Sequence, residues 1–159
     1  MAIVIPGKST CAACGDVLET ASGIVGFAPF VANRLDPLYR FGDAAFHRSC
    51  LERDSLGAAA LRRQAEILAR SGPGNRECVV CRSQISDPDE YFGCSFLTDD
   101  PTEAAFEFNY TQFHRSCFAR WDRSAAFRAA LERFLGSDRW DGPELAFDPM
   151  PAWRGRRFS

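Results

Sequence analysis

The sequence predicts an α+β protein made of two copies of one small unit, each a cysteine-bearing turn, a β-hairpin and a helix behind it. Three observations lead there. The cysteines and histidines fall as Cys11-x2-Cys14 with His47-x2-Cys50, then as Cys78-x2-Cys81 with His114-x2-Cys117. Thirty-two residues separate the two pairs in each set, and adding 67 to the first four positions gives the second four. Behind each H-x2-C, apolar residues return at helical intervals.

The register extends well beyond these eight residues. The string Phe46-His47-Arg48-Ser49-Cys50 recurs unchanged as Phe113-His114-Arg115-Ser116-Cys117. Gly26 matches Gly93, Phe41 matches Phe108, Arg53 matches Arg120, Ala58-Ala59 matches Ala125-Ala126, and Leu68 matches Leu135. A gapless match of this kind marks a tandem duplication.

Each element has a local reason. The C-x2-C pair calls for a tight turn that points two thiols at one place. A β-rich stretch follows, Gly23-Ile24-Val25-Gly26-Phe27 in the first unit and Glu90-Tyr91-Phe92-Gly93-Cys94-Ser95-Phe96 in the second. Turn formers occupy 33–37 and 98–101. A returning strand is expected over Leu38-Tyr39-Arg40-Phe41 and, in the second unit, over Ala105-Phe106-Glu107-Phe108. After H-x2-C, Ala58, Leu61, Ala65 and Leu68 share one helical face, as do Phe127, Leu131, Phe134 and Leu135. Ser55 and Ser124 are expected N-caps, and Gly136 ends the second long helix. The run 71–75 reads as a linker. This divides the chain into units over 1–71 and 72–136, followed by a proline-containing surface tail over 137–159.

The spacing dictates the chemistry. A structural zinc ion takes four soft or borderline ligands in a tetrahedron, and three thiolates with one imidazole form a standard closed set. One turn supplies two corners; a His and a Cys three apart at a helix start share a face and supply the other two. The sequence therefore predicts two Zn2+ per chain, one on Cys11, Cys14, His47 and Cys50, the other on Cys78, Cys81, His114 and Cys117. Ligand type alone leaves iron or another soft metal open.

A knuckle, a hairpin and two ligands at a helix start resemble the treble-clef class of zinc fingers. The C-x2-C…H-x2-C pattern, with Phe46 or Phe113 just before the His, is similar to the first zinc module of LIM domains. The resemblance covers most of 11–135 and implies one metal for each of the two quartets. The chain departs from LIM in its interval of thirty-two residues, and each unit runs on into a long helix where LIM places a second C-x2-C.

The remaining residues narrow the function. Cys94 aligns with Phe27, which reads as a buried strand position, not a nucleophile. A reactive cysteine needs a nearby base, and both histidines are committed. Catalytic zinc needs an open position, but each set here has four ligands. The chain has one lysine, Lys8, and eighteen arginines. These features predict a non-enzymatic protein, with no catalytic residues.

Formal charge is -2, and six metal-bound thiolates with two zinc ions would take it to about -4. Asp87, Asp89, Glu90, Asp99, Asp100, Glu103 and Glu107 crowd a stretch with no basic residue between Arg82 and Arg115. Against this, Arg115, Arg120, Arg123, Arg128 and Arg133 gather on the second unit's helices, and Arg154, Arg156 and Arg157 lie beside Trp153 and Phe158. The leading expectation is a protein–protein interaction or regulatory adaptor module. A transcription-associated nucleic-acid binder is the alternative. The acidic 87–107 stretch, with Tyr91 and Tyr110, is the expected contact patch, and the Trp153–Arg157 region is next. No apolar run approaches the ~20 residues that span a bilayer, and no secretory leader is visible at the N-terminus, so a cytoplasmic location is expected.

Overall fold

The computed structural model describes residues 3–20, 23–72 and 74–143. Its architecture is α+β. Strand β1 (Ile24–Gly26) pairs antiparallel with β2 (Ala45–His47), which runs directly into α1 (Arg48–Arg53) and then α2 (Gly57–Ser71). The order repeats as β3 (Tyr91–Gly93), β4 (Gln112–His114), α3 (Arg115–Phe118) and α4 (Ser124–Leu135). The two hairpins keep one register: Ile24 faces His47 as Tyr91 faces His114, and Val25 faces Phe46 as Phe92 faces Phe113.

The returning strands lie later than the sequence predicts. Leu38-Tyr39-Arg40-Phe41 and Ala105-Phe106-Glu107-Phe108 are 3-10 turns, over Tyr39–Phe41 and Phe106–Phe108. Burial explains the difference. Leu38 with Phe41, and Ala105 with Phe108, are buried at i and i+3 while the residues between are exposed. That is the spacing of one 3-10 face, not the alternation of a strand. Asp36 fixes the entry by accepting the Leu38 N–H at 2.7 Å.

The expected serine caps are also absent. Ser55 precedes α2, whose approach is held by Asp54 Oδ1 accepting the Leu56 N–H at 2.9 Å. Ser124 is the first residue of α4, after Arg123, with no side-chain cap. Gly136 does end α4. At the start of α2, a Cβ on Gly57 would lie 2.1 Å from the Leu51 carbonyl oxygen, so only glycine lets α2 turn this tightly off α1.

Each unit has its own aromatic core. In the first, Phe27 meets Phe41 and Phe46 with centroids 5.7 and 5.9 Å away. In the second, Phe127 of α4 meets Phe108 at 5.2 Å and Phe113 at 5.7 Å. The long helices differ. From α4, Phe127, Ala130, Leu131 and Phe134 are buried; from α2, only Gly57 and Ala60 are. The apolar face of α2 that the spacing marks out points outward: Leu61 is 40% exposed and Leu68 55%, with Ala58 and Ala65 also exposed.

The units touch through polar and aromatic groups. Arg63 of α2 stacks over Phe96 at 3.2 Å and lies 3.8 Å from Asp36, while Arg70 lies over Tyr110. Buried Gln112 donates to the Arg70 carbonyl at 2.8 Å. Residues 137–143 are fastened as well. Arg139 binds Asp100 and Glu103, Asp141 pairs with Arg34, and Asn33 donates to the Arg139 carbonyl. The rest of the expected tail, with Trp153 to Arg157, lies outside the described residues. No helix among the described residues is long and apolar enough to cross a membrane.

Candidate metal centres

Each C-x2-C sits on a tight turn closed by its own backbone. Cys11 N–H donates to the Asp16 carbonyl and Gly15 N–H to that of Cys11, both at 2.8 Å. Cys78 with Ser83 and Arg82 with Cys78 repeat this at 2.9 Å. The turn requires a left-handed residue, Gly15 at φ +80° in one unit and Arg82 at φ +61° in the other. It is then tied to the histidine-bearing strand, since Ala12 N–H donates to Ala45 and Val79 N–H to Gln112.

The hairpin thus delivers His47 and His114 to the end of a strand, where each also caps the short helix carrying Cys50 or Cys117. All eight sequence-predicted ligands come together, in two groups of four whose ligand atoms lie within 4.8 Å of one another. Cys14 Sγ is 3.5 Å from His47 Nδ1 and Cys50 Sγ is 3.9 Å; Cys81 and Cys117 stand at 3.5 and 3.9 Å from His114 Nδ1. A tetrahedron with bonds of ~2.3 Å to sulfur and ~2.0 Å to nitrogen has S···N edges of about 3.5 Å. Both groups could hold a metal ion in that geometry.

The surroundings prepare the ligands. His47 Nε2 lies 3.3 Å from the Val17 carbonyl oxygen. That oxygen can only accept, so Nε2 carries the proton and Nδ1 turns its lone pair toward the sulfurs. Burial pushes the Cys11 thiol up, but N–H groups of Cys14, His47 and Ala13 outweigh it and bring it down to about 6. Cys78 reaches about 6 by the same balance, with donors from Cys81, His114 and Val80. Cys14 is helped by the Asp16 N–H, yet desolvation and its neighbours Cys11 and Cys50 drive it up to about 11. In the metal-free protein Cys11 and Cys78 are therefore poised to ionise near neutral pH, and in the second centre the Ser83 N–H lowers Cys81 as well. A divalent cation supplies the charge that deprotonates the others.

Cys94 stands apart. It is buried on the strand side of the second core, and burial alone pushes its thiol up to about 12. We expect iodoacetamide at pH 8 to leave Cys94 unmodified in the native protein and to alkylate it once the chain is denatured. Native-state labelling of Cys94, located by peptide mapping, would contradict its assignment as a core residue.

Two contacts at the centres were not anticipated, although one pair shows in the repeat. Arg53 and Arg120, identical at the 67-residue offset, each donate from Nη2 to the following-helix thiol, Cys50 or Cys117, at 3.4 Å. The Val17 carbonyl has no such sequence signal, because a backbone group carries none. In comparisons with known proteins, the chain matches no protein-family model, no curated protein and no solved structure.

Proposed function

We propose that this chain is a non-enzymatic zinc protein, two LIM-like treble-clef units held by structural Cys3His sites, that serves as a protein–protein interaction module. Support for zinc is the pair of four-donor groups with tetrahedral S···N spacing. Four protein ligands fill a tetrahedral ion, so the reading assigns the metal to folding and not to catalysis.

The observation that carries the interaction reading is the outer face of α2. Ala58, Leu61, Ala65 and Leu68 make a continuous apolar stripe on solvent. The duplicated positions in α4 are Ala125, Arg128, Glu132 and Leu135, so the stripe belongs to one copy only. A face that departs from its duplicate toward exposed leucine is suited to a partner's apolar surface.

The acidic 87–107 stretch is less available than its sequence suggests. Glu90 accepts from Ser116, Asp100 and Glu103 hold Arg139, and Glu107 pairs with Arg123. Tyr91 and Tyr110 are half-buried, beneath Arg76 and Arg70. We therefore place the contact surface on α2. Several arginines that a nucleic-acid reading would use also have internal partners: Arg120 on Cys117, Arg123 on Glu107, and Arg128 over the Phe118 ring.

The test is the double variant Leu61→Arg, Leu68→Arg. Metal content and helicity should stay at wild-type levels while capture of the protein partner is lost. Undiminished capture would remove α2 from the interface. Tight nucleic-acid binding that weakens steeply with salt would favour the alternative function.

A further inference from the structure

The cysteine ligands differ in what stabilises them. Those of the knuckles receive backbone N–H groups: His47 N–H points at Cys11 Sγ at 3.4 Å and His114 N–H at Cys78 Sγ at 3.5 Å. Cys50 and Cys117 stand on short helices, where nearby N–H groups run along the helix axis toward carbonyls. Their added donor is a side chain, Arg53 Nη2 to Cys50 and Arg120 Nη2 to Cys117, both at 3.4 Å.

The same distance is reached from two backbones. Arg53 is the last residue of α1, whereas α3 ends at Phe118 and Arg120 follows it in a turn closed by Arg120 N–H on the Cys117 carbonyl at 3.0 Å. The contact is kept in both units although the helical turn that carries the arginine continues as α1 in one and closes as a single turn after α3 in the other.

Charge gives it a purpose. Three thiolates, a neutral imidazole and a divalent cation sum to -1, and a guanidinium, always protonated, brings each centre to neutrality. Resting on the metal reading above, we propose that Arg53 and Arg120 are positioning residues that neutralise the loaded centres and hold the Cys50 and Cys117 ligands. Groups in this position around metal sites commonly change affinity by about 10–100-fold. The guanidinium also ties up a sulfur lone pair that an electrophile would otherwise attack.

The experiment uses the full chain loaded with zinc or cobalt, wild type against Arg53→Met and Arg120→Met, with Arg128→Met as control. Each Met variant should lose about tenfold in zinc affinity at its own site, read by competition with a chromogenic chelator. Its cobalt–thiolate charge-transfer band should move to longer wavelength, because a sulfur without its donor gives up electrons more easily. Iodoacetamide should release metal faster, while Arg128→Met behaves as wild type. Unchanged affinity and an unchanged cobalt band in both variants would overturn the proposal. If a Met variant fails to fold, Arg53→Gln or Arg120→Gln removes the guanidinium while keeping a polar side chain, and wild-type affinity there overturns it equally. A wild-type chain that takes up no metal would instead refute the metal reading itself.

Discussion

Stripping the metal from both centres is expected to abolish the cooperative fold of the first unit and to loosen the second. The hairpins are only three residues per strand, and two-stranded hairpins are marginal in water without further support. In small zinc domains the metal contributes on the order of 10 kcal/mol, comparable to the whole stability of a domain of this size. The units should respond unequally. In the first, α2 buries only Gly57 and Ala60, so the metal carries most of the load; α4 has Phe127, Leu131 and Phe134 to fall back on. Chelation followed by circular dichroism should show a large loss of helicity and a broad residual melt. An unchanged melting temperature would refute the structural role. Elemental analysis should return two metals per wild-type chain and one for Cys11→Ser or Cys78→Ser. Loss of both metals from one substitution would mean that the inter-unit contacts of Arg63, Arg70 and Gln112 couple the sites.

Acid should act in the same direction. Metal competes with protons for sulfur, so occupancy falls as pH falls. Cys11 and Cys78, lowered from 9.0 to about 6, also favour the metal-free fold. That contribution is complete above pH 9 and declines as pH drops through about 6. Denaturant melts of the metal-free protein should therefore show stability falling from about pH 9 to about pH 6 and levelling off below it, while the loaded protein gives up its metal as protons reclaim the thiolates.

The two Cys3His groups that could hold a metal were legible in the sequence because ligand chemistry admits few residue types at few spacings, and the duplication wrote the pattern twice. The first strand of each hairpin was legible from its β-rich run. The returning strand was not, because Leu38 with Phe41 and Ala105 with Phe108 satisfy a short strand and a 3-10 turn almost equally. Only the position of the core decides between them. What the apolar face of α2 packs against was not legible either. Leu61 and Leu68 follow the helical period faithfully, but periodicity reports that a face is apolar and not what it faces. Arg63 and Gln64, at the positions of buried Ala130 and Leu131 in α4, hinted that the inner side of α2 had changed its neighbours.

Replacing Phe127 by Ala is expected to destabilise the second unit by about 3–5 kcal/mol, the usual cost of emptying a phenylalanine site in a core. Phe127 is fully buried, and its ring contacts Phe92, Phe108, Phe113, Phe118 and Trp121. Yet its duplicate in the first unit is Ala60, also fully buried. In the first unit it is Phe27, whose own duplicate is Cys94, that packs against the matching rings. Phe27 packs on Phe41 and Phe46 as Phe127 packs on Phe108 and Phe113, so the two units fill one region of the same core from opposite sides, strand in one and helix in the other. Volume-conserving exchanges are the best tolerated changes in a core. The double variant Cys94→Phe, Phe127→Ala should therefore be more stable than Phe127→Ala alone, with a favourable coupling of about 0.5–3 kcal/mol. Denaturant melts of the metal-loaded wild type, both single variants and the double variant measure that coupling directly. Cys94→Phe by itself should destabilise, since Phe127 already occupies the space. Additive losses in the double variant would mean that the two side chains do not fill a common volume, and the pairing of Phe27 with Phe127 would be an accident of the repeat.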